Sequence, residues 1–154
     1  MPARSFALVP ASYVYLLRGE EVLLQHRWNT GYMDGYWVAG AAGHIEPGET
    51  ARRAAAREVR EEAGVVVPEG SLELVTVMQR TDGSANPREQ RVDWFWTSRT
   101  WEGSPRVCEP RKADRLEWFA LDALPDPIPE YERYVLEGLR DGTLPLDSAF
   151  GFEE

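Results

Sequence analysis

Cysteine occurs once and histidine twice among the 154 residues. The lone Cys108 excludes an internal disulfide and fits a reducing cytoplasm. A small apolar filler is the default role for such a residue and a reactive thiol the alternative. With only His26 and His44 to add, a closed zinc site has too few ligands. Long apolar runs are also missing: no stretch approaches the about 18 residues of a membrane-spanning helix. Met1–Pro10 lacks the charged-then-apolar layout of an export signal. The chain is therefore expected to be soluble, untargeted and cytoplasmic, with no membrane partner. Positive charge is in deficit, 17 basic against 26 acidic residues for a net −9 at pH 7. That balance argues against duplex nucleic acid as a partner, because binding there is driven by basic excess. A polyanionic substrate would be repelled too, unless divalent cations held by clustered carboxylates offset the repulsion. Internal repeats and low-complexity tracts are absent, and nothing in the sequence specifies an oligomeric state.

The length suits a single domain spanning residues 1–154. Two apolar runs, Phe6–Leu17 and Glu21–His26, flank the turn Arg18-Gly19-Glu20 and predict a hairpin or two neighbouring strands. Arg27–Gly35 reads as loop, and Tyr36–Ala39 as a short strand entering a glycine-rich turn. From Thr50 to Ala63 the composition shifts to Ala, Arg and Glu, with Gly64 where a left-handed cap belongs, which predicts a helix. Leu72–Met78 and Arg91–Thr100 read as strands joined by a loop over Thr81–Gln90, with Val92, Trp94 and Trp96 on one face. Arg115–Phe119 predicts a last strand, Leu121–Pro129 a connection and Tyr131–Arg140 a closing helix. The tail after Gly142 is expected to be loose. Strands mixed with two separated helices point to an α/β sheet covered on both faces.

Glu58, Glu61 and Glu62 stand at i, i+3 and i+4 of the first helix, so three carboxylates share one narrow face. Such a face repels itself by a few tenths of a kcal/mol per close pair and needs either solvent or a cation. An oxygen-only set suits magnesium or manganese. By itself the triplet fits an ordinary solvated face better than a metal site.

The flanking residues narrow the choice. Gly43-His44-Ile45-Glu46-Pro47-Gly48-Glu49, then Thr50–Ala56, then Arg57-Glu58-Val59-Arg60-Glu61-Glu62-Ala63-Gly64-Val65 fills every specified position of the pattern G-x5-E-x7-R-E-U-x-E-E-x-G-U, where U is an apolar aliphatic residue. This 23-residue segment resembles the Nudix box. The resemblance implies an α/β/α sandwich with a mixed central sheet and a loop-helix-loop. It also implies magnesium-dependent hydrolysis of a diphosphate linkage in a small nucleotide-like substrate, with manganese as a substitute. Glu58, Glu61 and Glu62 would then bind metal, with the Gly43 carbonyl as a further ligand. Arg57 would pair with Glu49 and hold the loop against the helix. Val59, with Ala55 and Ala63, should face the core. One departure concerns Trp37-Val38-Ala39-Gly40-Ala41-Ala42-Gly43, which lacks the proline common in the family and is one residue longer, leaving the path of this loop open.

A carboxylate must also take up or orient the proton of the attacking water. Glu61 is one candidate. Glu109, preceding the strand at Leu116–Phe119 as a loop acid does in MutT-like members, is the other, with an ordinary exposed glutamate as its alternative. Arg27, Arg111 and Lys112 are candidates for phosphate contacts, and Trp28, Tyr32, Trp94 and Trp96 for stacking on a base or packing on the sheet. His44 offers a phosphate contact, a base or a local structural hydrogen bond. By short length and elimination the substrate reading is a MutT-like (deoxy)nucleoside triphosphate. At Arg80, sixteen residues past Gly64, enzymes similar to ADP-ribose pyrophosphatases often carry proline. ADP-ribose or another nucleoside diphosphate sugar is the alternative substrate, and a non-catalytic nucleotide sensor the alternative function.

Overall fold

The first apolar run has no polar face because both of its faces are covered. In strand β1 (Val9–Arg18), Tyr13, Tyr15 and Leu17 enter one core cluster, and Val14 and Leu16 enter another on the opposite side. A strand buried on both faces reads as a continuous apolar stretch. The structure, a computed structural model, describes residues 5–153; Met1–Arg4, part of the segment read for an export signal, and Glu154 lie outside the described residues.

After β1 come β2 (Glu21–Arg27), β3 (Trp37–Ala39), β4 (Ala41–His44) and α1 (Ala51–Ala63). They are followed by β5 (Glu73–Arg80), β6 (Arg91–Ser98), β7 (Ala113–Ala120), α2 (Glu130–Asp141) and β8 (Asp147–Phe150). β1 pairs in parallel with β6, Val9 opposite Arg91 through Leu16 opposite Ser98, and antiparallel with β4 on its other edge. β5 lies antiparallel to β6 and parallel to β8. The β1–β2 hairpin leads to a second group of strands in which β2 is flanked by β3 and β7, both antiparallel. α1 packs Ala55, Val59 and Ala63 onto one face with Trp96, and α2 packs Val135 and Leu136 onto the other with Tyr15 and Phe95. The result is the α/β/α sandwich with a mixed sheet that the sequence implied. Among the described residues no helix is long and apolar enough to cross a membrane.

Three local expectations change. The segment after Ala39 is a strand, not a glycine-rich turn: the chain bends at Gly40 and β4 resumes along β1, with Ser12 opposite Gly43. The tail after Gly142 is ordered into β8, held by its pairing with β5 and by a buried Thr76–Ser148 hydroxyl contact of 2.6 Å. β7 begins at Ala113, two residues earlier than Arg115, and so starts directly after the loop that carries Glu109.

Candidate metal and substrate site

α1 is capped at both ends. The Thr50 hydroxyl accepts from the Arg53 N–H at 3.1 Å, and Gly64 adopts φ 70° as its N–H returns to the Arg60 carbonyl. Such a cap contributes about 1 kcal/mol. Complete burial of Val59 contributes roughly 1.5–3 kcal/mol more and fixes the rotation of the helix, turning the glutamates towards β4.

Arg57 ties the helix to the preceding loop. Its Nε and Nη2 donate to the two oxygens of Glu49 at 2.7 and 2.9 Å, a bidentate fork. Nη2 also donates to the His44 carbonyl at 3.1 Å, while Nη1 reaches Glu58 at 2.7 Å and Glu61 at 3.2 Å. The Arg57 guanidinium beside Glu49 holds its carboxyl down at about 2.

The helix acids differ in setting. Glu58 is buried and lies so close to Gly43 that a Cβ there would stand 2.2 Å from Oε1, so any side chain at position 43 would displace the carboxylate. Burial raises its pKa, Arg57 opposes the rise, and Glu61 and Glu109 add to it. Glu62 accepts the Ala42 N–H at 2.7 Å, and burial pushes its carboxyl up to about 8, with Glu58 and Glu109 contributing. Glu61 is half exposed. Glu109 reaches the same acids from the loop before β7: it lines a small cavity with Glu62, Lys112 and Arg27, and forms a 3.2 Å ion pair with Lys112.

Among the described residues no three or more His, Cys, Asp or Glu side chains converge as a preformed metal site. The donor set nevertheless fits magnesium. The acids are oxygen donors only; burial raises the pKa values of Glu58 and Glu62 and neighbouring carboxylates add to the rise, a repulsion that a divalent cation would relieve.

Next to the acids lies a cavity of about 660 Å³. Glu62, Gly43 and His44 border it on the helix side, Arg27 and Tyr32 on the β2 side, and Arg80 and Glu132 across the sheet. Arg27 thus reaches both cavities, although its guanidinium is bonded to the Tyr32 carbonyl and the Thr30 hydroxyl at 3.0 and 3.1 Å. Lys112 reaches the smaller one, and Arg111 is exposed and lines neither. Of the aromatic candidates only Tyr32 lines the large cavity. Trp28 instead ties loops together, its indole donating to the Pro110 carbonyl at 3.0 Å. Trp94 packs on the α1 side, and Trp96 is buried there, donating to Ser12 at 3.2 Å with Arg52 over its ring. The His44 imidazole borders the cavity, its pKa lowered by burial and by Arg91.

Sequence reasoning missed Glu132 and the part played by Arg80. Glu132 carried a signal, since it occupies the i position of an i, i+3, i+4 stripe completed by the buried Val135 and Leu136. A glutamate in an apolar stripe is a buried polar group in want of a partner.

A carboxylate-bearing helix clamped by arginine thus lies beside a cavity in an α/β/α sandwich. The chain belongs to the Nudix family: the NUDIX domain model matches residues 7–139. It is 34% identical over 125 residues to an NAD-capped RNA hydrolase of Pseudomonas aeruginosa, covering 79% of this chain and 39% of that protein. An isopentenyl-diphosphate Delta-isomerase of Rhodobacter capsulatus is 32% identical over 115 residues, covering 72% of this chain and 63% of that protein. The chain therefore spans about two fifths of the first of these relatives and under two thirds of the second. A MutT NUDIX hydrolase from Burkholderia pseudomallei superposes with a TM-score of 0.75 at 29% identity, covering 85% of this chain and 97% of that one.

Proposed function

We propose that the chain is a magnesium-dependent Nudix hydrolase that cleaves a diphosphate linkage, with MutT-like nucleoside triphosphates as its substrates. The observation that carries this reading is the Arg57-clamped helix with Glu58, Glu61 and Glu62, of which Glu62 shares a small cavity with the loop acid Glu109 and also borders a cavity large enough for a nucleotide. Glu58, Glu61 and Glu62, with the Gly43 carbonyl, would hold magnesium. When bound, the ion supplies neutralisation of phosphate charge and acidifies water. Glu109 takes or orients the water proton, with Glu61 as the other candidate. Lys112 and Arg27 offset phosphate charge next to the acids, and Arg57 and Glu49 keep loop and helix in register. Retention of every box carboxylate supports an enzyme over a sensor. Two of the relatives named above are named as hydrolases and one as an isomerase of isopentenyl diphosphate, a spread of substrates expected where specificity lies outside the box.

The test is turnover of a panel comprising deoxynucleoside triphosphates, ADP-ribose and a nicotinamide dinucleotide, with phosphate and diphosphate release recorded. Hydrolysis should require magnesium or manganese, stop in excess chelator and return on adding back the cation. Full activity in chelator, or no turnover of any member with magnesium present, would overturn the proposal.

A further inference from the structure

Glu109 faces other acids. It lines the small cavity with Glu62 and adds to the rise in pKa of both Glu62 and Glu58, so like-charge repulsion pushes its loop outward. Its ion-pair partner Lys112 has a side chain 67% exposed, and an ion pair in that setting holds little. A firmer restraint on the loop comes from the end of β2.

β2 and β7 pair without a break from Glu21 opposite Ala120 to His26 opposite Arg115, then slip by one residue, which sets Arg27 opposite Ala113. The residue left over, Asp114, accepts from His26 Nδ1 at 2.6 Å and pins the bulge. Bulges re-aim the residues beside them, and the next residue here is Trp28. Its backbone N–H donates to the Lys112 carbonyl at 3.0 Å, and its indole Nε1 donates to the Pro110 carbonyl, also at 3.0 Å. The turn closes on itself as well, the Glu109 carbonyl accepting the N–H groups of Lys112 and Ala113 at 2.9 and 3.1 Å. One residue thus grips, at two points, the turn that begins at Glu109. Core packing does not account for a tryptophan at this position, since it is 48% exposed.

We propose that Trp28 is a positioning residue for the reaction: by fixing the Pro110 and Lys112 carbonyls it keeps the Glu109 carboxylate turned towards the helix acids. This rests on the role given to Glu109 above. A reacting group misplaced by about 1 Å can cost about a hundredfold in rate, so a grip on the loop backbone reaches the chemical step without touching substrate.

Trp28→Phe removes the indole donor and keeps the ring and the backbone N–H. Two measurements follow. In chelator and without substrate, amide exchange at Lys112 and Ala113, read by NMR, should quicken about fivefold or more, while exchange in α1 stays unchanged and shows that the variant is folded. With the deoxynucleoside triphosphate that the panel turns over fastest, at saturating magnesium, kcat should fall about fivefold or more and KM should stay within about twofold. In a Glu109→Gln background the same substitution should have no further effect, because the group it positions is gone. Unchanged exchange, unchanged kcat, a loss confined to KM, or an equal loss in both backgrounds would each overturn the inference. Glu109→Gln alone with full turnover is a different signature: it marks failure of the role given to Glu109, and the inference falls with it because nothing then needs positioning.

Discussion

Glu62 and Glu109 approach each other from a helix and from a loop, and their substitutions separate two roles. Glu62→Gln preserves size and the Ala42 contact but removes charge from the ligand set, so turnover should fall by about a hundredfold or more. Glu109→Gln should lower kcat strongly with little change in KM. Glu102→Gln, whose backbone pairs with Val66, should leave both near their original values. Steady-state kinetics at saturating magnesium, with circular dichroism as a check on folding, tests all three. Equal small effects at positions 109 and 102 would return the proton-transfer role to Glu61. Glu132 makes a separate prediction about stability. Its carboxyl rises from 4.5 to about 7 in the fold, so the stability contributed by the protonated form is complete below about 4.5 and lost as pH rises through about 7. Relative to Glu132→Gln, the unsubstituted protein should lose up to roughly 3 kcal/mol across that window. Urea unfolding at several pH values measures this, and a difference flat in pH would show that the carboxyl is not shifted.

Among the elements, α1 works with the loop before it as one unit because Arg57 spans both. Lysine keeps the charge but lacks the planar fork, so Arg57→Lys should cost about tenfold or more in turnover while retaining most of the thermal stability. Kinetics and a melting curve on the same sample distinguish this from general unfolding. This unit was also the most legible part of the sequence, because caps, helix and acids depend on spacings within 23 residues from Gly43 to Val65. β4 was not legible: Ala41-Ala42-Gly43-His44 has no strand composition and is extended because β1 supplies its partners. β8 was hidden for the same reason, its order arising from β5 and the Thr76–Ser148 contact. Within the site the division is similar. The box acids could be placed from local periodicity, whereas Glu132 joins the cavity only because α2 folds back across the sheet to meet Tyr15 and Ala39. Trp94 and Trp96 were read correctly as sharing a face, but which face lay nearer the cavity was a question of topology.

At the scale of the whole molecule, the parallel pairing of β1 with β6 sets when the protein can exist at all. Val9 meets Arg91 and Leu16 meets Ser98, so the strand on which α1 rests is not backed on that edge until most of the chain is available. Loop closure over such separations has to be met before the contacts stabilise anything, and folds dominated by distant pairings form on about the millisecond-to-second scale. With 13 residues α1 is marginal alone in water, where isolated helices need about 12–15 residues or more. Its amide signal in stopped-flow circular dichroism should therefore rise together with the burial of Trp96, which packs against it, with no earlier helical phase. A helical burst preceding the fluorescence change would contradict this. During synthesis the order has a further effect. The ribosome releases the acid-bearing segment before β6 and well before α2, so the growing polypeptide spends that interval with the acids of the proposed site and no cavity beside them.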